Sequence, residues 1–257
     1  MRIRNDIAMA SLTDVGCQRQ DNQDYDLYWE PESPELFARK GRLAIVADGM
    51  GGHEGGQEAS RIAAETVRDI YAAASEGGPQ TWLNAGFDAA HTRILQYATE
   101  HPELHGMGTT CTAAALVGGA LYYAHVGDSR LYLVRKHQIS RLTHDHSYVG
   151  RLVENGAITA EQAESHPQRH ILTAALGAGA SISPDYPLRQ TWLEKGDQLV
   201  LCTDGLWGQV SEEEIRSAVA AEPTIACNQL VTLAKERGGP DNITVQIIVV
   251  QAIVANG

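Results

Sequence analysis

The chain has 257 residues, with 32 acidic and 20 basic side chains and a formal charge of −12. That balance excludes a protein that coats DNA or RNA, which needs a basic surface to displace counterions. It also argues against docking on anionic membranes, but leaves room for a cluster of carboxylates that holds cations. With 43% hydrophobic and 20% charged residues the chain is globular rather than disordered, and residues 1–257 are read as one large domain. The four cysteines, Cys17, Cys111, Cys202 and Cys227, form no C-x-x-C pair, which points to a reducing compartment. The N-terminus lacks an uninterrupted apolar segment. The longest apolar stretch, Thr112–Val126, is divided by Gly118-Gly119. Neither a signal peptide nor a membrane helix is expected, so the cytoplasm is the expected location.

In chain order, Ser11–Trp29 reads as two short strands around a polar turn, and Leu43–Ala47 as a buried strand ending at Asp48-Gly49. Gly55–Ala74 and Thr81–Glu100 are amphipathic helices separated by Gly77-Gly78-Pro79. Thr112–Val117 and Ala120–Val126 flank Gly118-Gly119, a tight hairpin signal. Strands at Arg130–Arg135 and Gln138–Leu142 follow, with a turn near Lys136-His137, so Thr112–Leu142 reads as one antiparallel meander. His146–Ser165 gives two short helical pieces around Gly156. Gln198–Thr203 is a strand ending at Asp204-Gly205. Ser211–Ala220 and Thr224–Arg237 are helices, the first opened by a capping box of Ser211 and Glu214. Asn242–Ile253 is the last strand. The expected class is α+β, two antiparallel sheets packed together with helices outside.

An apolar strand followed by an aspartate recurs at Asp48-Gly49, Asp128-Ser129 and Asp204-Gly205, while Asp241-Asn242 stands at a strand entrance. Asp21-Asn22-Gln23-Asp24 adds acids between two strands. Each Asp-Gly alone is ordinary turn chemistry. Together, short acids at several strand ends can converge on one rim, where they repel unless a cation neutralises them. Oxygen-only ligands suit Mg²⁺ or Mn²⁺ rather than zinc. Two such ions about 3.5–4 Å apart can activate a water and support an in-line phosphoryl displacement. Arg19, just upstream, could grip phosphate through its guanidinium.

These residues fall into ordered blocks: Arg19-Gln20-Asp21-Asn22-Gln23-Asp24, Asp48-Gly49-Met50-Gly51-Gly52-His53, Gly108-Thr109-Thr110, Gly127-Asp128-Ser129-Arg130, Asp204-Gly205-Leu206-Trp207 and Gly239-Pro240-Asp241-Asn242. The series resembles the bacterial branch of the metal-dependent protein phosphatases of the protein phosphatase 2C type, over roughly Met9 to Val250. The resemblance implies a four-layer sandwich and hydrolysis of phosphoserine and phosphothreonine in proteins. It implies that Asp48 bridges two core ions, that Gly49 offers its backbone carbonyl to one of them, and that Asp24 acts at one largely through water. Asp204 and Asp241 then bind the other, Asp128 and Asp204 hold a third, weaker ion, and Arg19 binds substrate phosphate. Residues 145–176 match the family's flap, a mobile subdomain beside the site. The implied partners are phosphorylated proteins and an opposing Ser/Thr kinase, with the chain acting as a monomer.

Two positions depart from the pattern. Met50 stands where many eukaryotic members carry a histidine proposed as general acid, and Tyr25 stands where a small residue is usual. His53 is nearby and is the candidate acid from this chain, although the resemblance does not assign it that role.

Rival readings fare worse. A dinucleotide loop would need glycine at Glu54, and no Walker lysine follows. His144-Asp145-His146 lacks a further ligand and reads as a polar loop. His166 and His170 read as flap surface or packing, Cys111 and Cys202 as small buried hydrophobes, Met50 and Met107 as packing, and Glu212-Glu213-Glu214 as a solvated helix N-terminus. A non-catalytic phosphoprotein-binding module on the same fold is the alternative from another class. Such a module would be expected to have lost some of the five aspartates.

Overall fold

Leu43–Ala47 is apolar at every position because both faces of its strand are covered. Leu43 and Ile45 face helices, while Ala44 and Val46 face a second sheet. The computed structural model describes residues 4–52, 54–164 and 166–253. The chain begins with β1 (Ile7–Asp14), β2 (Asp24–Trp29), α1 (Pro34–Lys40), β3 (Arg42–Met50), α2 (Gly55–Ala73) and α3 (Pro79–Glu100). Next come β4 (Gly108–Thr109), β5 (Cys111–Val117), β6 (Ala120–Val126), β7 (Arg130–Arg135), β8 (Gln138–Arg141), α4 (Tyr148–Glu154) and α5 (Ala160–Glu164). The last elements are β9 (Thr191–Trp192), β10 (Gln198–Cys202), α6 (Asp204–Trp207), α7 (Glu212–Ala218), α8 (Pro223–Glu236) and β11 (Ile243–Val250).

Two antiparallel sheets form the centre, one in the order β1-β11-β10-β7-β8 and the other β2-β3-β5-β6-β9, with β4 on the end of β3. Between them lie Val46, Leu121, Leu131, Leu201 and Ile248. Phe87 and Val67 of α3 and α2 cover the outer face of the β3 sheet. Leu230 and Ile215 of α8 and α7 cover the other. The four-layer α+β sandwich expected from the sequence is the one observed.

The meander expected over Thr112–Leu142 is not observed. β5 and β6 pair with each other in one sheet, whereas β7 and β8 pair in the other. The chain changes sheets at Gly127-Asp128-Ser129: β7 pairs with β10, and Leu131 and Leu133 join the core between the sheets, with Leu121 and Tyr123 of β6 in the same cluster. Both hairpin turns use left-handed backbone. Gly118 and Gly119 supply it without strain, while Lys136 and His137 adopt φ of 50° and 63° without that freedom.

Two further differences concern aspartates. β3 does not end before Asp48 but continues to Met50, because Gly49 and Met50 pair with Thr109 and Gly108. Asp204 is not in a turn; it opens the short helix α6. The Ser211–Glu214 capping box is present as expected. Helix α1 was not anticipated, although Ser33 caps it and Pro34 begins it. No helix among the described residues is long and apolar enough to cross a membrane.

Candidate active site

Asp24 and Asp48 are direct cross-strand partners in the β2–β3 ladder, an arrangement that like charges disfavour. Asp48 continues the inter-sheet face of Ala44 and Val46. Its backbone is fixed at both ends. The Asp48 N–H donates to Thr110 Oγ1 at 3.0 Å, and the Asp48 carbonyl accepts from Thr109 Oγ1 at 2.8 Å and Thr110 N at 2.9 Å. Gly49 must be glycine, since a Cβ there would lie 2.0 Å from the Gly56 carbonyl oxygen.

The opposite sheet holds Asp24. Thr203 and Thr244 donate their hydroxyls to Asp24 Oδ2 at 2.8 and 2.6 Å. Asp204 follows Thr203, at the end of β10. Asp241 is brought in by its neighbour Asn242, whose side-chain oxygen accepts from Gln23 N at 2.8 Å and whose NH₂ donates to the carbonyls of Val15 and Asp21. Asp128 sits in the crossing between sheets, tied to the Asp48 strand by the Thr110–Ser129 hydroxyl contact at 2.7 Å. Arg19 lies half exposed on the rim and donates one N–H to Asp241 Oδ2 at 2.8 Å.

The electrostatics describe an uncompensated acidic cluster. Burial, reinforced by the carboxylates of Asp204 and Asp241, pushes Asp24 up to about 7 against the pull of the two threonines. Burial, then Asp24, Asp204, Asp128 and Asp241, hold Asp48 well above the carboxylate range. Burial raises Asp128, aided by Asp204 and Asp145. Asp204 is raised by burial and Asp241, with a side-chain hydrogen bond to Asp48, then His170 and Arg19, pulling the other way. Asp24 Oδ1 and Asp204 Oδ1 are buried and have no hydrogen-bond partner.

Orphaned carboxylate oxygens, mutual repulsion and an all-oxygen donor set fit hard divalent cations. Among the described residues no three acidic, histidine or cysteine side chains form a ready-made cage. A site in which each ion takes few carboxylates and keeps several waters needs none.

Asp24, Asp48, Gly49, Asp128, Asp204 and Asp241 are thus assembled on one rim with Arg19 beside them. His53 lies outside the described residues. The loop at His144-Asp145-His146 is polar as expected: Asp145 is ion-paired with Arg130 at 2.6 Å, and His146 Nε2 lies 3.1 Å from Asp185 Oδ2. Sequence reasoning missed Thr203 and Thr244. It quoted Thr109, Thr110, Trp207 and Asn242 within blocks without giving them a task. His170 is exposed, as expected of the flap surface.

The family model for protein phosphatase 2C matches residues 18–236. The chain belongs to the protein phosphatase 2C family. It is 38% identical over 246 residues to the protein phosphatase PhpP of Streptococcus pneumoniae, covering 92% of this chain and 95% of that one. Among solved structures, the serine/threonine phosphatase of S. agalactiae superposes with a TM-score of 0.86 at 35% identity, covering 95% of this chain and all of that one. The Mycobacterium tuberculosis serine/threonine phosphatase PstP/Ppp gives 0.84 at 34% identity, covering 95% and 99%. The catalytic domain of PstP has also been solved with two manganese ions, with a TM-score of 0.82 at 32% identity and coverage of 95% and 98%.

Proposed function

We propose that this protein phosphatase 2C member hydrolyses phosphoserine and phosphothreonine in proteins and depends on divalent cations to do so. The observation that carries the reading is the buried carboxylate cluster, with Asp24 Oδ1 and Asp204 Oδ1 left without protein partners. In this reading Asp48, the Gly49 carbonyl, Asp204 and Asp241 would hold two core ions, with Asp24 acting through water, and Asp128 with Asp204 would hold a third and weaker ion. Mn²⁺ and Mg²⁺ both suit the donor set. Bound there, such ions supply Lewis-acid activation of the attacking water and charge neutralisation on the phosphoryl group.

The chain's own residues do the rest. The backbone N–H and carbonyl of Asp48 are held by Thr110 and Thr109, which fixes the point from which its carboxylate enters the cluster. Arg19 is anchored to Asp241 by one of its five N–H donors and presents the others at an exposed edge, where a phosphate can accept them. His53 remains the candidate proton donor to the leaving oxygen. Residues 145–176 act as a flap that selects among protein substrates, and an opposing Ser/Thr kinase supplies those substrates. The chain works in the cytoplasm as a monomer.

The five aspartates favour catalysis over a binding-only module, which has no use for a repulsive buried cluster. The experiment is hydrolysis of a chromogenic phosphate ester and a phosphothreonine peptide, with and without added manganese. Turnover that needs the metal supports the reading. Metal-dependent binding of the phosphopeptide without turnover supports the module instead.

A further inference from the structure

Asp128 and Asp204 lie far apart in the chain, one in the crossing between β6 and β7 and the other at the first position of α6. One side chain spans them. Trp207 closes the same four-residue helix that Asp204 opens, and its indole Nε1 donates to the backbone carbonyl of Asp128 at 2.9 Å. The indole is itself held. The Arg130 guanidinium lies 3.6 Å from its ring centroid, a stacking contact suited to the planar cation. Arg130 in turn donates to both oxygens of Asp145 at 3.0 and 2.6 Å, and to the Tyr132 hydroxyl at 3.1 Å.

The destination of the Arg130 charge matters. Arg130 is two residues from Asp128 and could neutralise it directly. Arg130 acts on Asp128 through its charge, but its donors go to Asp145, bidentately, and to Tyr132, which keeps the guanidinium over Trp207 and off the Asp128 carboxylate. We propose that Trp207 is a positioning residue: propped by Arg130 and Asp145, its indole sets the separation of Asp128 from Asp204 and hence the affinity of the cation they share. This rests on the reading of Asp128 and Asp204 as holders of the weaker ion.

Calorimetric titration of the metal-stripped protein with Mn²⁺ tests the proposal, alongside thermal melts and the dependence of phosphopeptide turnover on Mn²⁺. Trp207→Phe keeps a ring for Arg130 to stack on and removes only the donor. Its tight binding events should match wild type, while the weak event should weaken about fivefold, the worth of one neutral hydrogen bond. Half-saturating Mn²⁺ for turnover should rise by the same factor, and kcat at saturating Mn²⁺ should recover. Asp145→Asn frees Arg130 to approach Asp128 and should shift the weak event in the same direction. If Trp207→Phe does not fold, Asp145→Asn decides alone. Unchanged weak affinity in the variants overturns the proposal, as does an equal loss in tight and weak events, which marks a structural role. Asp128→Ala separates the two levels. If it retains the weak event, the reading of Asp128 fails and the proposal with it. If it loses that event while Trp207→Phe and Asp145→Asn keep wild-type affinity, only the positioning claim fails.

Discussion

The hydroxyl of Thr244 donates to Asp24 Oδ2 at 2.6 Å across 220 positions of chain. Thr203 donates to the same oxygen from 179 positions away. Two donors on one carboxylate oxygen fix the rotation of the group and leave Oδ1 buried without a protein partner. Groups that orient a ligand in this way typically change metal affinity or activity by 10- to 100-fold when removed. Thr244→Val, which keeps the shape and deletes the donor, should therefore weaken Mn²⁺ binding and lower kcat/KM by about tenfold. Wild-type Mn²⁺ affinity in Thr244→Val would show that the contact is incidental.

Stripping the metal should make stability fall as pH rises. Burial and neighbouring carboxylates hold Asp24 up at about 7 and raise Asp48 and Asp128. These groups keep protons in the folded state that the unfolded chain releases near pH 4. The stabilisation is therefore full below about pH 4 and lost as pH climbs through about 7. Metal-free protein should melt lower at about pH 7.5 than at about pH 5.5. Added Mn²⁺ should raise the melting temperature more at the higher pH, where fewer protons compete with it. Differential scanning fluorimetry after chelation makes the comparison, and a metal-free melting temperature that rises with pH across this window contradicts it.

Arg19 is expected to act on substrate rather than on the fold, because its side chain is half exposed and has one ion-pair partner, Asp241. Arg19→Ala should raise KM for phosphopeptides with a smaller change in kcat, the pattern of a lost ground-state contact. Steady-state kinetics on a phosphothreonine peptide reads both constants. Parallel falls in kcat and kcat/KM with KM unchanged would mean that Arg19 works in the transition state alone or through Asp241.

Stability has a test far from the metal rim. Lys40 is 2% exposed. Its ammonium donates to the carbonyls of Tyr71 and Ala74 at 2.6 and 2.5 Å, at the end of α2, and sits 3.7 Å from the Trp82 ring centroid. Lys40→Met fills the space but leaves both carbonyls without that donor, at a cost of about 2–4 kcal/mol from the penalty for unpaired buried groups. Urea unfolding should show that loss while kcat of the folded fraction stays at the wild-type value. A loss under about 0.5 kcal/mol would mean that water replaces the ammonium.

The strands were legible because their chemistry is local. Leu43–Ala47 and Leu199–Cys202 are apolar throughout, since both faces of both sheets are covered. Sheet membership was not legible. Nothing in Arg130–Arg135 says that it pairs with β10 rather than with β6 just before it; that depends on contacts between distant segments. The aspartates were visible as acids beside strand ends and within ordered blocks. Thr203 and Thr244 were not, because a threonine in a strand or just past its end is ordinary β chemistry until the fold brings Asp24 against it. Trp207 was quoted in its block, yet its partner is a backbone carbonyl, which no side-chain pattern reveals.

The central claim is that the buried carboxylates serve a metal-dependent phosphatase, and one assay addresses it most directly. Phosphate release from a phosphothreonine peptide is followed for wild type and Asp48→Asn, each in Mn²⁺ and in excess chelator. Asp48 lies deepest in the mutual repulsion, with four other aspartates raising its pKa. Wild type should turn over only with metal, and Asp48→Asn should be inactive in both conditions while melting as a folded protein. Full wild-type turnover in excess chelator, or substantial turnover by folded Asp48→Asn, would contradict the account.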